Sequence, residues 1–154
     1  MKRAFLKNIF ILASALIIMF SFQIGHSFSQ TQKEEIQSEI VEVPGGIYRN
    51  ILPEQLWLML KEKDFLFINV HTPYEGEIEK TDLFIPYDQI EQHVDRLPSD
   101  KEAKIVLYCR TDRMSNTAAR TLVKLGFKNV WNLKGGMIGW RQAGYALVDK
   151  NQEK

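Results

Sequence analysis

Cysteine is all but missing from this chain: Cys109 is the only one among 154 residues. An internal disulfide is therefore excluded, and so is a lipid-modified cysteine behind the apolar start of the chain. A surplus of either charge is missing too. Lys and Arg number 20 against 19 Asp and Glu, a formal net charge of +1. No basic run is interleaved with aromatics, so nothing points to nucleic acid. No apolar run reaches the roughly 17–25 residues of a membrane span, and no internal repeat is present. The remaining composition, 45% hydrophobic and 25% charged, suffices for one compact domain with a single core, not two.

The first 29 residues stand apart. Lys2, Arg3 and Lys7 make a basic start, and Ile9 to Phe22 is apolar except for Ser14 and Ser21. Small residues follow at Gly25, Ser27 and Ser29. This layout predicts a secretory signal peptide over residues 1–29, cut after Ser27 or Ser29. The alternative is an uncleaved N-terminal membrane anchor, although a run of about 14 apolar residues is short for one. Cleavage removes three of the 20 basic residues and none of the 19 acidic ones, bringing the formal charge to −2. An exported, periplasmic or otherwise extracytoplasmic protein is the expectation, with any ion attraction local to a site.

Residues 30–45 are polar and read as a solvated leader that ends at Pro44-Gly45-Gly46. A short strand is predicted over Ile47–Ile51, then a helix opening at Pro53 with Leu56, Trp57 and Leu60 as its apolar stripe. Phe65–Val70 is apolar throughout, the pattern of a strand buried on both faces. A Pro-, Gly- and Glu-containing loop runs from His71 to Asp82. A short strand is predicted over Leu83–Tyr87, and a helix capped by Asp88 runs to about Arg96. A buried strand follows at Lys104–Tyr108, then a helix from Ser115 to Leu125 stopped by Gly126. Asn129–Leu133 is the last strand, and Lys134–Trp140 turns into a short helix. Residues 149–154 are a polar tail. Strands alternating with helices imply an α/β domain over residues 46–148, with a central, mostly parallel sheet flanked by helices on both faces. Sites in such sheets form beyond the carboxyl ends of the strands.

Cys109 lies at such an end, where a buried strand gives way to Arg110-Thr111-Asp112-Arg113-Met114-Ser115 and then a helix. Backbone N–H groups and the positive end of a helix converge there and favour a thiolate, the nucleophilic form. A buried cysteine acting as a small hydrophobe is the plainer reading, but two arginines in the next four residues argue for a reactive thiol. His71, Glu75 and Glu77 are irregularly spaced in their loop and lack an evident fourth ligand, so surface polarity accounts for them better than a metal site does. His71 alone shares the sheet edge with Cys109. His93 falls in a helix and is expected to be exposed, and His26 would leave with the signal. Trp131 and Trp140 read as core, with Met137 and Ile138 bordering the pocket.

The Cys109 loop, its helix, and the segment from Asn129 through Lys134-Gly135-Gly136-Met137-Ile138-Gly139-Trp140 to Tyr145 together resemble the rhodanese-like family. The resemblance spans roughly residues 46–148 and is most specific from about residue 100 onward. It implies a small α/β domain in which Cys109 carries sulfur as a persulfide, with neither cofactor nor metal. On that footing Cys109 is the catalytic residue, and Arg110, Thr111, Asp112, Arg113, Met114 and Ser115 form the substrate-binding loop. Its N–H groups would stabilise the anionic donor and the Cys109–S–S⁻ product. Arg110 and Arg113 would orient an oxyanion, or merely solvate the turn. Ser115 would cap the helix or donate to the substrate. The expected partners are a small anionic sulfur donor, such as thiosulfate or a persulfide, and a thiol, protein-thiol or cyanide acceptor.

The first half departs from the family. Asn69-Val70-His71 stands where relatives usually have Asp-Val-Arg, Gly76-Glu77-Ile78 where they have Gly-His-Ile, and Asp112 where the loop often has Gly. A supporting charged pair is thus lost, and a carboxylate enters an anion-binding loop. Three rival readings remain. A cysteine phosphatase needs an Arg after five intervening residues, but Ser115 occupies that position. A non-enzymatic binding or persulfide-sensing module is compatible with the altered first half. A thiol-redox or arsenate-reducing protein would need an external thiol in every cycle, since no second cysteine is present.

Overall fold

A computed structural model describes residues 36–149. The expected signal or anchor over 1–29, the first part of the leader and the tail beyond residue 149 lie outside the described residues. Strands β1 (Glu39–Val43), β2 (Gly46–Ile51), β3 (Leu66–Asn69), β4 (Leu83–Phe84), β5 (Ile105–Tyr108) and β6 (Val130–Leu133) form one sheet in the order β1-β2-β6-β5-β3-β4. All neighbouring strands are parallel except β1 and β2, which form an antiparallel hairpin. The α/β class with a mostly parallel sheet is as the sequence predicts.

Helices cover both faces. On one, α2 (Arg113–Lys124) sets Ala118, Ala119, Leu122 and Val123 against Ile68, Leu107 and Val130, joined by Ile90 and Phe127. On the other, α1 (Pro53–Lys61) and α3 (Gly136–Gln142) bring Leu56, Met59, Leu60, Met137 and Trp140 onto Phe67, Val106 and Tyr108. Alternation along β5 sends Leu107 and Cys109 to the first face, and Val106 and Tyr108 to the second. The central strands therefore read as unbroken apolar runs.

Four expectations need correction. The leader is not solvated throughout, because its second half is β1, an edge strand that packs Val41 and Val43 against the core. Its turn at Pro44-Gly45 closes because Gly45 takes φ +94°, a conformation cheap only for glycine. Asp88 does not cap an α-helix. Residues Ile90–Arg96 form 3-10 turns kinked at His93, preceded by Gln89. Trp57 is not on the buried stripe of α1: it is 44% exposed, lying against Tyr145 with ring centroids 5.1 Å apart. Finally, α2 begins at Arg113 with Asp112 in the N-cap position, so Ser115 sits inside the first turn instead of capping it.

Candidate active site

β5 is hydrogen-bonded on both sides, to β3 and to β6, so its end is fixed by the centre of the sheet. Tyr108 adds an anchor. Its hydroxyl accepts the Ile78 N–H at 3.0 Å and lies 2.7 Å from the Thr81 hydroxyl. Burial pushes the ionisation of this phenol well above its ordinary range, against the smaller opposing effect of those two hydrogen bonds.

Cys109 follows and is 1% exposed. Its Sγ accepts the backbone N–H of Asp112 at 3.2 Å, and the Ser115 hydroxyl donates to it at 3.4 Å. The chain can curl back this tightly because Asp112 takes φ +106°, a left-handed conformation costing about 1–2 kcal/mol for an L-residue. The turn runs directly into α2, whose N-terminal end is thereby aimed at the sulfur. Two donors and the start of a helix thus converge on one buried sulfur.

The Asp112 carboxylate does not point into the loop. Its Oδ2 accepts the Gly135 N–H at 3.2 Å. α3 grips the loop from the same side, with Met137 N–H donating to Cys109 O at 2.8 Å and Ile138 N–H to Arg110 O at 3.0 Å. Gly136 is obligatory at this contact. It has φ +54°, and a Cβ there would collide with the Cys109 carbonyl oxygen.

The other candidates distribute unevenly. Thr111 and Arg113 are exposed, while Met114 is half-buried and packs against the core on the α2 side. Arg110 is exposed and pairs with Glu75 at 3.5 Å. The cradle therefore reaches the sulfur through one backbone N–H, that of Asp112, and one hydroxyl, that of Ser115. Surface polarity holds for Glu75 alone: His71 is buried, with Nε2 3.5 Å from Glu75 Oε2, and Glu77 is buried too, with its backbone bonded to Val148. Among the described residues no three His, Cys, Asp or Glu side chains gather as a metal site. Asn69, in the position where an acid was expected by resemblance, donates from Nδ2 to Gly76 O at 3.1 Å and accepts the His71 N–H at 3.0 Å. It fixes the loop after β3 without a charge.

Sequence reasoning missed one supporting network. Asn116 Oδ1 accepts both the Tyr48 hydroxyl at 3.1 Å and Asn132 Nδ2 at 3.0 Å, and Asn132 also reaches Asn50. These bonds seat the first turn of α2 over β2 and β6. Polar residues at buried strand positions such as Asn132 were the available signal.

The profile of the rhodanese-like domain matches residues 52–143. The chain belongs to the rhodanese-like family. Solved rhodanese-like structures agree. A rhodanese-related protein from Thermoplasma volcanium is 26% identical with a TM-score of 0.56, covering 66% of this chain and 98% of that one. A rhodanese-like domain protein from Staphylococcus aureus is 26% identical with a TM-score of 0.52, covering 59% of this chain and 89% of that one. Among curated proteins, the tRNA uridine(34) hydroxylase of Hamiltonella defensa subsp. Acyrthosiphon pisum (strain 5AT) is 38% identical over 86 residues, 52% of this chain and 24% of the hydroxylase. The chain thus spans about a quarter of the length of the curated relatives it matches.

Proposed function

We propose that this protein is an exported sulfurtransferase that carries sulfane sulfur as a Cys109 persulfide. The observation that carries the reading is the Cys109 sulfur itself, buried and held by Asp112 N–H at 3.2 Å and Ser115 Oγ at 3.4 Å. With thiosulfate as donor, the Cys109 thiolate attacks the outer sulfur. The new S–S bond forms as the donor's own S–S bond breaks, and its electron pair leaves with sulfite. Cys109–S–S⁻ then gives its outer sulfur to a thiolate or to cyanide, and the Cys109 thiolate is restored. No proton or electron need be supplied from elsewhere, so no cofactor enters the chemistry.

Charge favours the same reading. A donor such as thiosulfate is anionic, and Arg110 and Arg113 flank the loop while the chain as a whole is near neutral. That balance offers little for a polynucleotide, and the hydroxylation named for the curated relatives belongs to proteins about four times the length of the matched segment. The basic start and apolar run of residues 1–29 support export to the periplasm, with a membrane tether if the segment is retained. Among the described residues no helix is long and apolar enough to cross a membrane.

The test is intact mass of a protein lacking residues 1–29, before and after thiosulfate, beside Cys109→Ser. A gain of one sulfur atom in the wild type alone, reversed by cyanide, is the expected result. A folded wild-type protein that gains no sulfur from thiosulfate or from a low-molecular-weight persulfide sinks the reading in favour of a binding module.

A further inference from the structure

Beside the Cys109 loop lies a cavity of about 120 Å³ lined by Glu75, Arg110, Met137, Ile138, Arg141 and Leu147. Three of these side chains are apolar. The other three place two guanidiniums against one carboxylate, which leaves the cavity with a surplus positive charge. Glu75 Oε1 stands 3.5 Å from Arg110, and among the described residues no ion pair engages Arg141. The cavity therefore already holds one carboxylate, contributed by the protein itself.

Glu75 also has an imidazole within reach. His71 Nε2 is 3.5 Å from Glu75 Oε2, and the imidazole side chain is only 7% exposed. Neither ring nitrogen has a hydrogen-bond partner among the described residues. A buried, unpartnered polar group calls for an explanation, and a state in which it gains a partner supplies one.

Building on the sulfurtransferase reading, we propose that this cavity receives the carboxylate of the sulfur acceptor, which is a small thiol bearing a carboxylate close to its sulfur. Glu75 occupies the anion position in the free protein. When the acceptor binds, its carboxylate takes Arg110 and Arg141, and Glu75 turns onto His71. The acceptor thiolate then attacks the outer sulfur of Cys109–S–S⁻. The bond between the two persulfide sulfurs breaks, the acceptor departs as R–S–S⁻, and Cys109 regains its thiolate.

The experiment loads the protein with thiosulfate, removes the donor, and follows sulfur loss by intact mass. The acceptors are 3-mercaptopropionate and the uncharged 2-mercaptoethanol. The readout is the ratio of the two rate constants, since a variant-to-wild-type comparison of that ratio cancels the intrinsic reactivity of each thiol. In Arg141→Ala the ratio falls roughly fivefold, the order expected for a partly exposed ion pair, while Arg141→Lys retains most of it. In Glu75→Gln the ratio rises, because the internal competitor is gone. A ratio unchanged in both Arg141→Ala and Glu75→Gln overturns the proposal while leaving the sulfurtransferase reading intact. Wild-type protein that never acquires sulfur overturns that reading instead.

Discussion

The Ser115 hydroxyl lies 3.4 Å from Cys109 Sγ and 3.1 Å from the carbonyl oxygen of Asp112. One proton cannot serve both acceptors fully, so the hydroxyl is free to favour the sulfur whenever the sulfur is charged. Ser115→Ala is expected to fold normally and to load sulfur from thiosulfate about tenfold more slowly, the effect of losing one hydrogen bond to an anion. Unchanged loading in the variant would reduce Ser115 to a helix residue.

Asp112 combines a strained backbone with a useful side chain. Asp112→Gly relieves a left-handed φ but gives up the bond to Gly135 N–H, two effects of about 1 kcal/mol each and opposite sign. The melting temperature should therefore move little. Asp112→Ala keeps the strain and loses the bond, and should be less stable by about 1 kcal/mol in urea unfolding. Equal stability of the Gly and Ala variants would show that the backbone conformation is not what matters here.

Asn69 is where a return to the family's residue should do harm. Its Nδ2 donates to Gly76 O, and a carboxylate cannot donate. Asn69→Asp would face that carbonyl with a buried negative charge and is expected to cost about 3 kcal/mol. The double variant Asn69→Asp, His71→Arg should recover part of the loss by restoring a charged pair. Denaturant unfolding of the three proteins checks this, and a fully stable single variant would contradict it.

Tyr108 predicts an alkaline limit. Its folded-state ionisation is raised by burial, whereas the unfolded phenol ionises near pH 10. The folded state then holds a proton that the unfolded chain releases. This contribution is complete below about pH 10 and is lost as pH rises beyond it. Tyr108→Phe should be less stable at neutral pH, since Ile78 N–H loses its acceptor, yet its melting temperature should fall less steeply above about pH 10. Parallel slopes for the two proteins would refute the assignment.

Much of this architecture was legible in the chain because the central strands are apolar on both faces. Leu66–Asn69 and Ile105–Tyr108 could be placed from hydrophobicity alone, and Cys109 with them. Edge strand β1 was not, since Glu39 and Glu42 interleave with Ile40, Val41 and Val43 and only Val41 and Val43 meet the core. The start of α2 was misjudged by two residues because Asp112 and Ser115 are equally good caps by residue type, and nothing local to Asp112 announces a left-handed backbone held by Gly135. The Glu75–Arg110 pair and the Asn132–Asn116–Tyr48 network join residues 35, 16 and 68 positions apart, separations that pattern reading along a sequence does not bridge.

The grip of α3 on the nucleophile has a consequence for the order of assembly. The carbonyls of Cys109 and Arg110 and the carboxylate of Asp112 are all claimed by N–H groups from Gly135, Met137 and Ile138. A chain that ended at β6 would own the thiol but none of the three donors that close its loop, so the surroundings of Cys109 are completed by residues that follow it by a whole strand and turn.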